Sequence, residues 1–149
     1  SSRSLEQYQR ECFSNMFRIL KSPNINIMMN RAHLGEFVYA QRYRNYSGDY
    51  VFELEKKHEI NNYGDVFLIL LTCSDTSIMV DDGESHDFSK KDEEQLDFIA
   101  AYDKSIIMHK LMLNVYDQKT QTYKSQEQIM DHVLSFLKIT LAKTDFRVL

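Results

Sequence analysis

Apolar residues recur at helical spacing at both ends of the chain and at strand spacing in its middle. Leu5, Tyr8, Cys12, Met16, Ile19 and Leu20 fall three and four apart, and Ser4 with Gln7 has the form of a capping box, so the spacing predicts a helix over 4–21. Ser22 followed by Pro23 reads as an N-cap with proline in the first turn. Ile25, Met28, Met29 and Ala32 then share one face and Gly35 is placed to end it, giving a second short helix, although Ile25 to Ile27 also alternates like a strand.

From 36 to 57 the period changes to two. Phe37, Tyr39, Gln41 and Tyr43 alternate with Val38, Ala40, Arg42 and Arg44. After Asn45 to Gly48 the alternation resumes with Tyr50, Phe52 and Leu54, which predicts a β-hairpin over 36–57. A turn at 61–64 leads into an almost unbroken apolar run, 66–73, which suits a strand covered on both faces. A short strand at 77–80 is expected to pair with it.

Ser89 and Asp92 cap a predicted helix through Leu96, Ile99, Ala100 and Tyr102. The stretch 104–116 continues at helical spacing yet is rich enough in Ile, Val and Leu for a strand; helix is preferred. Ser125 and Gln128 form another capping box, and Ile129, Met130, Val133, Leu134, Leu137 and Leu141 make a stripe, predicting a helix over 126–143. The expected class is therefore α+β: N-terminal helices, a central antiparallel sheet of three to four strands, and C-terminal helices packed on one face.

With 149 residues, 43% hydrophobic and 27% charged, the composition is that of one globular domain over 1–149, expected to be excised from a longer protein. No run has the length of a membrane span, so no membrane is expected as partner. Cys12 and Cys73 lie in apolar stretches and read as buried, reduced thiols of an intracellular, cytoplasmic or nuclear, protein.

Charge is uneven. Residues 1–64 carry nine Lys/Arg against seven Asp/Glu, whereas residues 75–103 carry ten acids against Lys90 and Lys91 alone. That balance argues against a broad nucleic-acid footprint. Asp81, Asp82, Glu84, His86 and Asp87 form an acidic loop that invites a metal-dependent hydrolase as the alternative reading, but their order does not fit a Ca²⁺ loop, and a solvated loop with no metal or cofactor is preferred. Asp49, Glu55, Lys56 and Lys57 faintly resemble a nuclease metal site. Along a strand, however, the two carboxylates stand about 20 Å apart, and only Glu36 on the paired strand could complete such a site. No nucleophile elbow or phosphate loop occurs, so the reading leans against an enzyme.

Tyr39, Arg42, Tyr43, Arg44 and Tyr46 interleave aromatic and guanidinium groups, with Arg31 close by. Such groups dominate protein interfaces and also stack on unpaired bases. The expectation is a non-catalytic protein-interaction or assembly domain that binds through Arg31, Arg42, Arg44 and Tyr46 on the hairpin or through an exposed helix face. A homodimer is one form of it, with the acidic stretch as the hairpin's screen or its matching face. Single-stranded nucleic-acid binding by the hairpin is the third reading.

Overall fold

The computed structural model describes residues 1–62 and 65–141, the side chains of 139–141 excepted. The chain opens with α1 (Ser2–Leu20), then an irregular segment, α2 (His33–Tyr39), a π-helical turn (Ala40–Arg44) and α3 (Tyr50–Lys57). Next come β1 (Phe67–Thr72), α4 (Lys91–Lys104), β2 (His109–Asn114), the short strands β3 (Tyr116–Asp117) and β4 (Thr122–Tyr123), and α5 (Gln126–Leu141).

Two of the expected helices form where the capping residues place them, with one adjustment. The Ser1 hydroxyl, one turn before Ser4, accepts the first free N–H of α1 from Ser4. At α5 the reciprocal box is complete: Gln128 N–H donates to Ser125 Oγ at 3.1 Å, and Ser125 N–H donates to Gln128 Oε1 at 2.9 Å. The expected end of this helix at 143 lies outside the described residues, as do Tyr63 and Gly64 of the turn at 61–64.

Among the described residues there is no central antiparallel sheet. Two small sheets take its place: β1 pairs with β2 in parallel, Phe67 beside His109 through Thr72 beside Asn114, and β3 pairs with β4 antiparallel. A parallel pair needs a crossover, and α4 supplies it. The expected hairpin 36–57 is instead the pair α2 and α3. The second short helix expected over Ile25 to Ala32 does not form: that segment is irregular, and Gly35, expected to end it, lies within α2. The preferred helix at 104–116 is β2 at its centre, and the expected strand at 77–80 is a 3₁₀ turn, Thr76–Ile78, followed by unpaired extended chain. The helices also cover both faces of the β1/β2 pair rather than one. Leu68 packs on the main core with Phe98 and Ala101 of α4, while the adjacent Phe67, turned the other way, meets Phe136 of α5 edge-on at 6.0 Å.

The core lies between the helices. Phe17, Leu34, Phe37, Val38, Tyr50, Val51, Phe52, Leu54, Ile60, Ala101 and Ile107 form it. Complete burial of Phe17 is worth about 2–3 kcal/mol. Asn45, left-handed at φ 59°, ends the π turn, and Gly48 lets the link to α3 pass over α2: a Cβ there would lie 2.4 Å from Phe37 Cα. Side-chain amides pair with backbone at the strand ends. Asn61 accepts from Met108 N–H and donates to the Ile106 carbonyl, and Gln95 does the same for both backbone groups of Cys73.

Candidate functional site

Two buried carboxylates organise the helical layer. Glu55 on α3 is fully buried and takes three donors: His33 Nε2 shares a hydrogen bond with its Oε1 at 2.6 Å, Ser105 Oγ donates to the same oxygen at 2.7 Å, and Ile106 N–H donates to Oε2 at 2.8 Å. The bonds join the start of α2, the end of α3 and the entry to β2. Glu36, one turn along α2, accepts from Tyr46 at 2.7 Å and Tyr50 at 2.9 Å and forms an ion pair with Arg44. Burial and the hydrogen bond to Glu36 push the Tyr46 hydroxyl up to about 12.

Ser105, Glu55 and His33 have the residue types of a nucleophilic triad but the wrong connectivity. The serine donates to the carboxylate, whereas a base must lie between serine and acid. All three are buried, so the group fastens the fold and does not face a substrate. Phe17 separates two more polar atoms from solvent: His33 meets its ring edge-on at 5.1 Å and His58 stacks on it at 5.6 Å, and neither His33 Nδ1 nor His58 Nε2 finds a hydrogen-bond partner. Burial first, then Lys21, Lys57 and Arg18, lowers the His58 pKa below 6.5.

The interleaved Tyr/Arg set is divided by the helical geometry. Arg44 and Tyr46 converge on Glu36. Arg42 turns the other way and holds Asp97 at 2.5 Å and Glu93 at 3.1 Å on α4, which raises the guanidinium pKa further. The acidic stretch thus screens Arg42 within the chain. Tyr43 donates to Glu94, which pushes its hydroxyl up to about 12, and its ring stacks against His86 at 4.7 Å; Tyr39 flanks both rings. Arg31 is exposed in a left-handed conformation at φ 57° and is brought to neither carboxylate.

Among the described residues no group of three His, Cys, Asp or Glu side chains is placed to hold a metal. In the acidic loop, the Asp81 and Asp82 carboxylates accept from the backbone N–H groups of Gly83 and Glu84. The three acids of the nuclease-like set are dispersed: Asp49 pairs with Lys104 at 2.5 Å, while Glu36 and Glu55 serve their separate networks. An open depression of about 360 Å³ beside α1 is lined by side chains already engaged, Gln7 with Glu11, Arg18 with Asn15, and Arg10 with Glu6 outside the lining.

No family model, curated protein or solved structure matches this chain. The surface of α1 supplies the remaining feature. Phe13, Met16, Phe17 and Leu20 pack inward, and a second apolar stripe of Leu5, Tyr8, Cys12 and Ile19, spaced three, four and seven apart, stands in solvent beside them. Tyr8 is 61% exposed and Ile19 is 50% exposed. Cys12 is therefore exposed, contrary to the expectation for both thiols, whereas Cys73 is buried. The period over Leu5 to Leu20 predicts the helix but not which of its apolar residues are covered; the inward phenylalanines at 13 and 17 are the sign that the apolar arc exceeds one packed face.

Proposed function

We propose that this chain is a non-catalytic interaction or assembly domain that presents the exposed face of α1 to a protein partner. The exposed stripe of Leu5, Tyr8, Cys12 and Ile19 carries the reading: it runs nearly the length of a 19-residue helix, and an amphipathic helix offering anchors at such spacing is a recurring recognition element. The buried reactive groups supply no competing enzyme site, since Glu36 and Glu55 are saturated by partners within the fold. Of the Tyr/Arg set, Arg31 is exposed and open to a partner, Arg42 is held by Glu93 and Asp97, and Arg44 and Tyr46 are held by Glu36. An exposed, unpaired thiol at Cys12 fits a reducing, intracellular setting.

Cys12 lies within the stripe, so its labelling by a thiol reagent reports directly on whether the stripe is covered. The isolated chain should label quickly at Cys12, and the complex recovered from a native extract should label slowly there. Equal rates in the free and complexed chain count against this face.

A further inference from the structure

We infer that the seating of α1 on the rest of the fold is a proton-sensitive joint: with His58 neutral, Phe17 is held between His58 and His33, and protonation of His58 frees Phe17 and releases α1 while the helical layer beneath stays folded. The inference concerns what holds the inner face of α1 and is independent of what covers its outer stripe. Phe17 is the one residue of α1 that is fully buried. Its ring lies between imidazoles from two different places in the fold: His33 opens α2 and meets it edge-on, whereas His58 follows α3 and stacks on it with the planes 11° apart. Each imidazole carries a nitrogen shut off from water with no hydrogen-bond partner, Nδ1 of His33 and Nε2 of His58.

His58 keeps this place only as the neutral ring. An imidazolium needs an acceptor for both of its N–H groups, and Nε2 has none. The charged groups that face it are cations, Arg18 and Lys21 from the end of α1 and Lys57 from α3. Glu55, one turn earlier on the same helix, is already taken by His33, Ser105 and the Ile106 N–H, and Glu59, next in sequence, is exposed in a left-handed conformation at φ 50°. A proton on His58 therefore places a further positive charge among three others and against an apolar ring, and the lowered pKa follows from burial first and those cations after it. Moving α1 away relieves both, because water then reaches Nε2 and Arg18 and Lys21 leave with the helix. Since the docked state disfavours the proton, docking is complete above the ordinary histidine value of about 6.5 and weakens up to about tenfold per pH unit below it.

The helix is built to leave by itself. Every other member of the core cluster comes from α2, α3, α4 or the segments that follow α3 and α4. The donors to Glu36 and Glu55 described above also lie outside α1. Phe13, Met16 and Leu20 add half-buried contacts and Arg10 rests on the Tyr50 ring at 4.2 Å, so Phe17 is the anchor of the joint. The irregular segment 21–32 links α1 to α2 and serves as its tether.

Hydrogen exchange of the intact chain, read by mass spectrometry and corrected for the intrinsic rates at each pH, tests this, because a 19-residue helix stripped of its packing keeps little protection. Between about pH 7.5 and about pH 5, protection in α1 should fall about tenfold or more while that of α3 and α4 changes little. His58→Phe keeps a ring stacked on Phe17 without a titrating nitrogen and should leave α1 protected at both pH values. Arg18→Gln with Lys57→Gln, both exposed in the wild type, thins the cations around His58 and should move the loss to lower pH; this variant decides the matter where His58→Phe misfolds. Wild-type α1 protection that does not change with pH, or α1, α3 and α4 losing protection together, overturns the inference. So does the same α1 loss in the folded His58→Phe chain or, where that chain misfolds, an unmoved loss in the double variant.

Discussion

Removing the Glu55 carboxylate should be among the costliest single polar changes to the fold. Glu55→Ala leaves His33, the Ser105 hydroxyl and the Ile106 N–H without their shared acceptor in a site where Glu55 and His33 are almost wholly shielded from water. A buried donor stripped of its partner costs about 1–3 kcal/mol, and Glu55→Ala strips three groups of theirs at once. The three losses do not add in full, so the expected loss is about 3–5 kcal/mol, a large share of the roughly 5–15 kcal/mol that holds a typical domain together. Glu55→Gln keeps an acceptor for Ser105 and should lose about half as much, roughly 2 kcal/mol. Urea unfolding followed by circular dichroism, with the slope constrained by wild type, reads both. A loss under about 1 kcal/mol for Glu55→Ala would refute the reasoning, because it would mean that water replaces the carboxylate without penalty.

Other consequences are as direct. Gly48→Ala drives a methyl into the backbone of Phe37 and Glu36 and should destabilise by about 2 kcal/mol or more, visible as a lower urea midpoint. Arg44→Glu sets a second carboxylate against buried Glu36 and should unfold the chain or cost about 3–5 kcal/mol, whereas Arg42→Ala, whose acidic partners are partly solvated, should cost about 1 kcal/mol or less and less still in high salt. Because the His58 pKa is lowered in the folded state, the unfolded chain takes up a proton first as pH falls. Stability should thus be full above about pH 6.5 and decline below it, and His58→Phe, which keeps the ring against Phe17, should flatten that part of the stability–pH curve.

The helical ends of this chain were legible in the sequence because capping residues and apolar stripes are local signals. The Ser125 box marks the start of α5 correctly, and the period over Leu5 to Leu20 places α1 to within two residues at its start and one at its end. The middle was misread for a physical reason. On α3 the buried positions are Tyr50, Val51, Phe52, Leu54 and Glu55, with His58 following; 50, 51, 54, 55 and 58 trace a helical face, but Glu55 and His58 are polar by type and hide that face from a pattern of apolar residues. On α2 every residue from His33 to Val38 is buried, so its alternation of types reports no face at all. The mirrored spacing of His33 with Glu36 and of Glu55 with His58 was the available hint that these polar groups face inward, although only His33 and Glu55 bond to each other across the two helices. For the sheet, the lack of alternation in 66–73 already favoured a strand covered on both sides, the mark of parallel pairing, with the helix at 91–104 as its crossover. Of the candidate site residues, the Tyr/Arg cluster was visible as composition, but which of its members turn inward depended on the helix that alternation concealed. The exposed face of α1 was invisible for the opposite reason, since a stripe reads alike whether or not a neighbour covers it.

The most direct test of the interaction-domain reading is affinity capture from native extract with wild type and with the double variant Tyr8→Glu, Ile19→Glu. Both positions are at least half exposed, so the changes should leave thermal unfolding nearly where it was. The account predicts that wild type retains a specific protein at stoichiometric level and that the folded double variant releases it. Recovery of the same protein at the same level by both chains would contradict it.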